Sequence, residues 1–295
     1  LIYKEAGFYI LTNCMYFITK RPNLFQRFIP GFILLLFLYF DIQSQNLEIS
    51  EVRFIRKDKV TFVDAVLNDA VEITKRNTFN QDVLADDIAR LERFYFDNGF
   101  FDVQIDTAVT YNYDDENVIV KFTIKENKHY RIKEVVYTGI DKISESAAKE
   151  IMKIKPIKKG DFYNRVLIIQ LANGIADALQ NNGYMHAREK PDSGIVIRKY
   201  DTVTTVMINF TGADTIYKFG KTVINIQKNV YGVSEDVIRK CITYKEGDIY
   251  SKEVKLASER TISRIAIVKS ARVEVTSINN NVASFSANVN LNQMH

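Results

Sequence analysis

The feature that most constrains the fold of this chain is an internal repeat, in which the same short motifs return in the same order. Asp97-Asn-Gly-Phe100 returns as Asn181-Asn-Gly-Tyr184. The Gly-Asp-aromatic loop that starts at Gly160 returns as Gly-Asp-Ile at Gly247. Different landmarks that recur in the same order indicate tandem structural units. A chain of 295 residues is also long for one compact core, so several small domains are expected.

Each unit is predicted to contain a strand, two helices and two further strands. The first helix of the first unit is predicted over 62–74, with its core-facing residues at spacings of three and four: Val63, Val66, Ala70 and Ile73. The second helix carries an apolar stripe of the same kind: Leu84, Ile88, Leu91 and Tyr95. It is expected to end at Asn98-Gly99, because glycine readily adopts the left-handed conformation that ends a helix.

The strand after this helix is predicted to begin a hairpin. It places Phe101, Val103, Ile105 and Val109 on one face, and the returning strand over 118–125 alternates apolar and polar residues. We therefore predict an α+β fold of three tandem modules, each β-α-α-β-β, at 45–128, 129–214 and 215–295. The third module lacks the Asn-Gly helix exit and is the least regular copy.

The first 44 residues are interpreted as a signal peptide with an upstream extension. Lys20, Arg21 and Arg27 precede an uncharged apolar run over 28–40. A helix of that length spans roughly 20 Å, less than the roughly 30 Å hydrocarbon core of a bilayer. A basic start, a short apolar run and a small residue (Ser44) before the cut are typical of an exported protein. An uncleaved membrane anchor is the alternative.

The composition and the motifs predict neither catalysis nor a cofactor. The formal net charge of +4 is spread along the chain, which gives no clustered basic face for nucleic acid. Cys241 is the only cysteine after the signal segment, so an internal disulfide is not expected. The three histidines are scattered, and no zinc-protease, P-loop or nucleophile-elbow motif occurs. Asp86-Asp87 is interpreted as a helix start suited to the helix dipole, and 114–116 as a turn.

The repeat resembles the POTRA (polypeptide-transport-associated) domains of the BamA and TamA type of outer-membrane assembly factor. The resemblance rests on the strand that ends at Gly139, the Gly-Asp loops at Gly160 and Gly247, and the Asn-Gly-aromatic helix exits. It covers about residues 48–292 and is most specific at 94–101.

The resemblance implies a periplasmic, non-enzymatic string of modules attached to the outer membrane through a β-barrel. Its expected partners are unfolded outer-membrane protein clients and accessory assembly proteins. The chain stops at His295, where the first barrel strands would be expected, so we interpret it as a fragment or as a barrel-less relative.

We hypothesise that clients bind by adding a strand to the exposed edges of the sheets. The two predicted edges are 101–109 and 184–189, with Pro191 ending the second. Their site residues are Phe101, Val103, Ile105, Val109, Tyr184, His186 and Arg188. The main alternative is a membrane-anchored envelope or division scaffold with modules of this kind. An enzyme acting on envelope polymers is a further alternative, but no set of acid and base residues supports it.

Overall fold

The computed structural model of the protein describes residues 47–292, apart from Lys228 and Val230. The predicted signal segment, 1–44, lies outside these residues. The described residues form three β-sheets, and each sheet has two helices packed against it in the predicted order β-α-α-β-β. The predicted α+β fold class is confirmed.

Module 1 consists of β1 (Glu48–Arg56), α1 (Asp64–Asp69), α2 (Gln81–Asp97), β2 (Gln104–Asn112) and β3 (Asn117–Lys125). Its sheet has the order β1-β3-β2. The last strand, β3, is therefore central: it pairs in parallel with β1 and antiparallel with β2.

Module 2 begins with β4 (Arg131–Thr138), α3 (Glu145–Met152) and α4 (Arg165–Asn181). Its hairpin then contains β5 (Arg188–Glu189), β6 (Ile195–Tyr200) and β7 (Val203–Thr211). The central strand is again the last one, because β7 pairs in parallel with β4 and antiparallel with both β5 and β6.

Module 3 consists of β8 (Lys218–Gln227), α5 (Glu235–Arg239), α6 (Lys252–Ser263), β9 (Val268–Asn279) and β10 (Val282–Leu291). The sheet order is β8-β10-β9, so this copy follows the same plan in spite of its different helix exit.

Each module has its own buried apolar cluster between the sheet and the helices. Leu84, Leu91 and Tyr95 of α2 are at most 2% exposed and pack against alternate residues of β3. The stripe predicted for α2 is thus confirmed for these residues. Because the central strand is covered by helices on one face, every second side chain of β3 is buried.

The first helix is shorter than predicted. The structure has six helical residues, 64–69, instead of the thirteen predicted over 62–74, and the predicted core residue Val63 is 62% exposed. Leu67 and Val71 enter the core instead. Of the other predicted residues, Ile73 is buried and Ala70 packs against the core, as expected, whereas Val66 is exposed like Val63. Periodicity alone did not distinguish these positions.

The carboxylate of Asp87 holds the segment after α1 in place. Asp87 is fully buried in α2, and its two oxygens accept the backbone N–H groups of Glu72 (2.8 Å) and Ile73 (2.7 Å). Arg90 donates to the same carboxylate at 2.6 Å. The interpretation of Asp87 as a helix-start residue is wrong, since α2 begins at Gln81; its role is to satisfy two backbone donors of the neighbouring loop.

The joints between modules repeat the same backbone hydrogen bonds. The carbonyl of Gly99 accepts the N–H of Tyr130 at 2.9 Å, and the carbonyl of Gly183 accepts the N–H of Tyr217 at 2.8 Å. Both glycines have a positive φ, +86° and +97°, as predicted for the two helix exits. A Cβ atom on Gly99 would lie 2.9 Å from the carbonyl oxygen of Tyr163 in module 2. The glycine therefore allows the end of α2 to approach the next module closely.

Asp102 adds an electrostatic clamp to the first joint. Its carboxylate accepts the hydroxyl of Tyr130 at 2.7 Å and lies 3.2 Å from the ammonium of Lys199, both in module 2. The hydrogen bond from Tyr130 and the nearby Lys199 hold the pKa of Asp102 below its usual value, although partial burial opposes them. The same hydrogen bond raises the pKa of Tyr130 to about 12.

Comparison of alanine substitutions at Gly99 and Gly160 separates two free-energy costs: that of the close contact with module 2 and that of the left-handed backbone conformation. Gly160 also has a positive φ, +93°, but no atom lies within 4 Å of a Cβ built there. We expect Gly160→Ala to lower the free energy of unfolding by about 1 kcal/mol. Gly99→Ala also pushes against the backbone of Tyr163, so its loss is expected to be about 2 kcal/mol or more. Urea unfolding measures both, and equal losses would contradict the close approach.

The clamp at Asp102 predicts a pH-dependent joint. Because the pKa of Asp102 is lower in the folded state, its stabilisation is present above the unfolded-state pKa and is lost as the pH falls through the folded-state pKa. We therefore expect Asp102→Asn to be less stable than the wild type at pH 7, and the difference to shrink as the solution is acidified. Asp106→Asn, at an exposed position on β2, is the control. A difference that stays constant from pH 7 to pH 3 would refute the clamp.

Candidate functional site

The second strand of module 1 forms a free sheet edge. Within the part of the chain that the structure describes, β2 pairs with β3 alone, from Gln104 opposite Lys125 to Asn112 opposite Asn117. One side of the strand therefore carries backbone N–H and C=O groups without a ladder partner, which is the usual template for an added strand. Ile105 and Val109 of β2 pack on the core, as predicted, while Gln104, Asp106, Ala108 and Thr110 are exposed.

The opposite edge of the same sheet is partly covered. The N–H of Ile49 donates to the carbonyl of Asn77, and the N–H of Arg76 donates to the carbonyl of Ile49, both at 2.8 Å. The N–H of Phe79 donates to the carbonyl of Leu47 at the same distance. The loop before α2 thus occupies the start of β1. Modules 2 and 3 have the corresponding bridges, Arg131 to Phe162 and Lys218 to Ile249. This coverage favours the hairpin edge as the more accessible one in each module.

Phe101 and Val103 lie before β2 rather than on it. The ring of Phe101 packs against Tyr130 (4.9 Å between centroids) and Tyr163 (4.8 Å), so it belongs to the joint with module 2. The N–H of Val103 donates to the carbonyl of Phe100 at 3.3 Å. Of the four residues predicted for this edge, the structure places Ile105 and Val109 on the strand, with their side chains towards the core.

The edge predicted over 184–189 is mostly not a strand. Only Arg188 and Glu189 pair regularly with β7, and the chain then forms a bulge over 190–194, which contains Pro191, before β6 begins. At the two ends of the bulge, the N–H of Lys190 donates to the carbonyl of Asn209, and the N–H of Asn209 donates to the carbonyl of Gly194. Tyr184 is buried, and its hydroxyl accepts the N–H of Ser144 at 2.7 Å. His186 is exposed, with its ring 5.1 Å from that of Tyr217 at the second joint.

The longest hairpin edge is one that the sequence reasoning did not select. β9 has twelve residues and, among the residues described, pairs only with β10. Val275 and Ile278 are exposed on it. Its sequence alternates apolar and polar residues over 271–276 without proline, a signal from which this edge could have been identified. It also carries three charged residues, Lys269, Arg272 and Glu274, whereas β2 carries only Asp106. Charges on an edge oppose strand addition, so β2 is the less protected edge.

A stack of rings holds the first joint beside the β2 edge. The imidazole of His129 lies between Phe100 (4.1 Å between centroids) and Phe162 (3.8 Å), and the guanidinium of Arg131 covers the other face of Phe162 at 3.7 Å. Burial lowers the pKa of His129, and the carbonyl of Asn98, 3.0 Å from its Nε2, partly opposes this shift. The imidazole of His129 is therefore mainly uncharged at neutral pH, and it lies between an aromatic ring of module 1 and one of module 2.

Two further observations bear on the type of site. Over residues 47–292, apart from the two that are not described, no helix combines the length and the apolar character needed to cross a bilayer. The same residues contain no cluster of three or more histidine, cysteine, aspartate or glutamate side chains arranged for a metal ion.

Similar proteins of known name are outer-membrane assembly factors. The chain is 28% identical over 116 residues to the outer membrane protein assembly factor BamA of Neisseria meningitidis, which covers 39% of this chain and 14% of that protein. It is 25% identical over 139 residues to BamA of Buchnera aphidicola, which covers 47% of this chain and 21% of that protein. The matched region therefore spans about a seventh to a fifth of the length of these relatives.

The fold matches a solved part of the same kind of protein. A crystal structure of POTRA domains 3–5 of Haemophilus influenzae BamA aligns with a TM-score of 0.52 and 16% identity, over 83% of this chain and 96% of that one. This likeness supports the arrangement of three modules in tandem.

Family membership rests on the first two modules. Residues 47–127 and 130–211 each match the POTRA family, described as a surface antigen variable number repeat. Together they make up more than half of the chain, and module 3, outside the matched residues, has the same order of elements. This chain belongs to the POTRA family, as a region similar to the POTRA domains of BamA.

Proposed function

We propose that this chain is the periplasmic polypeptide-binding region of an outer-membrane β-barrel protein assembly factor. Its family and the names of its two relatives support this proposal. In this function the chain binds unfolded outer-membrane protein clients and accessory assembly proteins, and it acts as a scaffold rather than as an enzyme.

The observation that carries the proposal is the free edge of β2. Nine residues in regular register with β3 present one unpaired backbone side, and their sequence contains a single charged residue. An extended client segment that adds to this edge gains main-chain hydrogen bonds, which depend little on its sequence. Such tolerance suits a protein that receives many different barrel strands.

The covered start of β1 explains why one edge is proposed rather than two. A segment that approached the start of β1 would have to displace the hydrogen bond that the carbonyl of Asn77 accepts and the one that the N–H of Phe79 donates. In module 2, the bulge over 190–194 interrupts the regular hairpin edge. We therefore propose β2 as the main docking edge.

A photocrosslinking experiment tests the position of the added strand. A strand paired with β2 lies about 4.8 Å from it and about twice that distance from β3. Ala108 and Lys121 are cross-strand partners, so their side chains share one face of the sheet. We expect p-benzoylphenylalanine at Ala108 to crosslink a ten-residue peptide of alternating apolar and polar residues, the pattern of a barrel strand. The yield at Lys121, the matched control, is expected to be several times lower. Equal yields at the two positions would sink the assignment to β2.

A pair of proline variants tests the backbone hydrogen bonds themselves. Successive residues of a strand direct their N–H groups to opposite sides, so of Asp106 and Thr107 one donates towards β3 and the other towards the free side. Asp106→Pro and Thr107→Pro are compared by thermal melting to identify the one that leaves the sheet intact. We expect that variant to bind the same peptide about fivefold more weakly or worse, since it loses one donor and adds a ring at the interface. Unchanged affinity in the folded variant would count against strand addition at β2.

A further inference from the structure

Module 2 lacks a polar anchor that modules 1 and 3 both possess. In module 1, Asp87 accepts the backbone N–H of Glu72, as described above. In module 3, the hydroxyl of Ser258 on α6 accepts the backbone N–H of Thr243 at 3.0 Å. The same loop is thus fastened to the same turn of the long helix in both copies.

At the equivalent positions of module 2, both partners of this hydrogen bond are missing. When modules 1 and 2 are aligned on the helix exits at Gly99 and Gly183, Leu171 corresponds to Asp87 and Pro156 to Glu72. When modules 2 and 3 are aligned on the loops at Gly160 and Gly247, the same two residues correspond to Ser258 and Thr243.

The loss of both partners leaves this loop unanchored without a local penalty. Leucine has no acceptor and proline has no N–H. Because this donor and this acceptor are lost together, neither of the two leaves the other without a partner. The loop over 154–157 is therefore not fastened to α4 in this way.

A cleft of about 580 Å³ opens beside this loop. Its walls are mainly apolar: Ile154, Pro156, Ile157, Phe162, Leu167 and Leu171. Phe162 and Leu167 are 44% and 53% exposed, so large apolar surface remains open to solvent. The volume lies within the range of about 300 to 1,000 Å³ that is usual for ligand sites.

The mouth of the cleft, formed by the loop over 155–161, is positively charged, and of its lysines only Lys155 lines the cleft itself. Lys155, Lys158 and Lys159 are exposed, and among the described residues none of them has a carboxylate within ion-pair distance. The guanidinium of Arg131 lies over Phe162 and donates to the carbonyl of Gly160 at 2.7 Å. The only carboxylate in this loop, that of Asp161, accepts the backbone N–H of Lys158.

The start of α4 adds to this positive potential. The first turns of α2 and α6 contain Asp82 and Glu253, whereas the first turn of α4 contains no acidic residue and begins with Arg165. The positive end of the helix dipole is therefore not offset by a side chain of its own helix.

We propose that this cleft is a second docking site, which binds an acidic segment of a partner polypeptide by receiving one or two of its large apolar side chains. The apolar walls bind the side chains, and the lysines at the mouth attract the acidic residues on either side of them. The cleft lies between the loop over 154–157, α4 and the first joint, and none of its lining residues belongs to β2. The proposal therefore does not depend on strand addition at β2.

The polar part of the lining favours a peptide over a lipid. The side chains of Asn98, Asn164 and Gln170 reach the cleft. The amides of Asn98 and Asn164 already bond to each other, but the exposed amide of Gln170 can pair with the N–H and C=O groups of a peptide backbone, which an acyl chain lacks. An anionic lipid remains the competing occupant and is one arm of the test.

The test uses the full chain and three fluorescein-labelled peptides of twelve residues. The first peptide alternates pairs of glutamate with a leucine-phenylalanine pair. The second replaces the leucine and phenylalanine with serine, and the third replaces the glutamates with lysine. We expect fluorescence anisotropy to show binding of the first peptide only, with an affinity that falls as salt is added. Flotation with phosphatidylglycerol vesicles tests the lipid.

Two variants with matched controls locate the binding. Leu167→Glu places a charge in the wall of the cleft, and its control, Val166→Glu, changes the next exposed apolar residue of the same helix, which does not line the cleft. The double variant Lys155→Glu/Lys158→Glu reverses the charge of two lysines of the loop at the mouth. Its control, Lys240→Glu/Lys269→Glu, makes the same change of net charge at exposed positions of module 3. We expect each cleft variant to weaken the first peptide about tenfold or more and each control to change it less than about twofold.

Melting curves confirm that the variants fold, since all six positions are exposed. Failure of the first peptide to bind the wild type, equal binding of the serine peptide, or unchanged binding to Leu167→Glu would each overturn the proposal. Vesicle binding that is lost in Leu167→Glu while no peptide binds would assign the cleft to lipid instead. The folded proline variant of β2 is expected to bind the acidic peptide normally, which separates a failure of this site from a failure at the β2 edge.

Discussion

The pairing of the last strand of each module with both the first and the middle strand determines most of this structure. Because β3, β7 and β10 are central, the helices cover them on one face and neighbouring strands cover them on both sides. The middle strand must then lie at an edge. The loop before the long helix binds the start of the first strand, so the middle strand retains the longest unpaired backbone. The availability of β2 for a partner therefore follows from the connectivity of the module, not from any particular side chain.

The contacts between neighbouring modules are also of the same kind at both joints. Each helix exit offers a carbonyl, at Gly99 or Gly183, to the first residues of the following module. The end of α2 also meets the start of α4, since Asn164 donates to the side chain of Asn98, and the end of α4 meets the start of α6, where Asn181 accepts the N–H of Glu253 at 2.8 Å. Polar contacts that repeat at both joints favour a defined orientation between neighbours rather than a loose string.

The sequence was sufficient to predict the features that depend on local chemistry. The apolar stripe of α2 requires a buried helix face. The glycines at the helix exits favour the left-handed backbone conformation that ends a helix. It was insufficient where tertiary contacts decide. Val63 matched a helical period, but it is the cap residue before the six-residue helix α1 and is exposed. Tyr184 follows a helix exit like Phe100, but its hydroxyl is bound by Ser144 in another part of the module. The break at 190–194 and the free edge of β9 likewise depend on pairing partners distant in the chain.

Comparison of the three copies separates what the fold requires from what it leaves open. Gly160 and Gly247 share a positive φ with Arg76, so that loop conformation is kept even where the residue is not glycine. Apart from Asp87 and Ser258, the buried positions of the long helices are apolar in all three modules. The anchor between this helix and its loop, in contrast, uses a carboxylate in module 1, a hydroxyl in module 3 and neither in module 2. Since a paired donor and acceptor can be removed together at little cost, stability does not by itself preserve this bond. In module 2 the cleft therefore lies beside the loop that modules 1 and 3 attach to the long helix by this hydrogen bond.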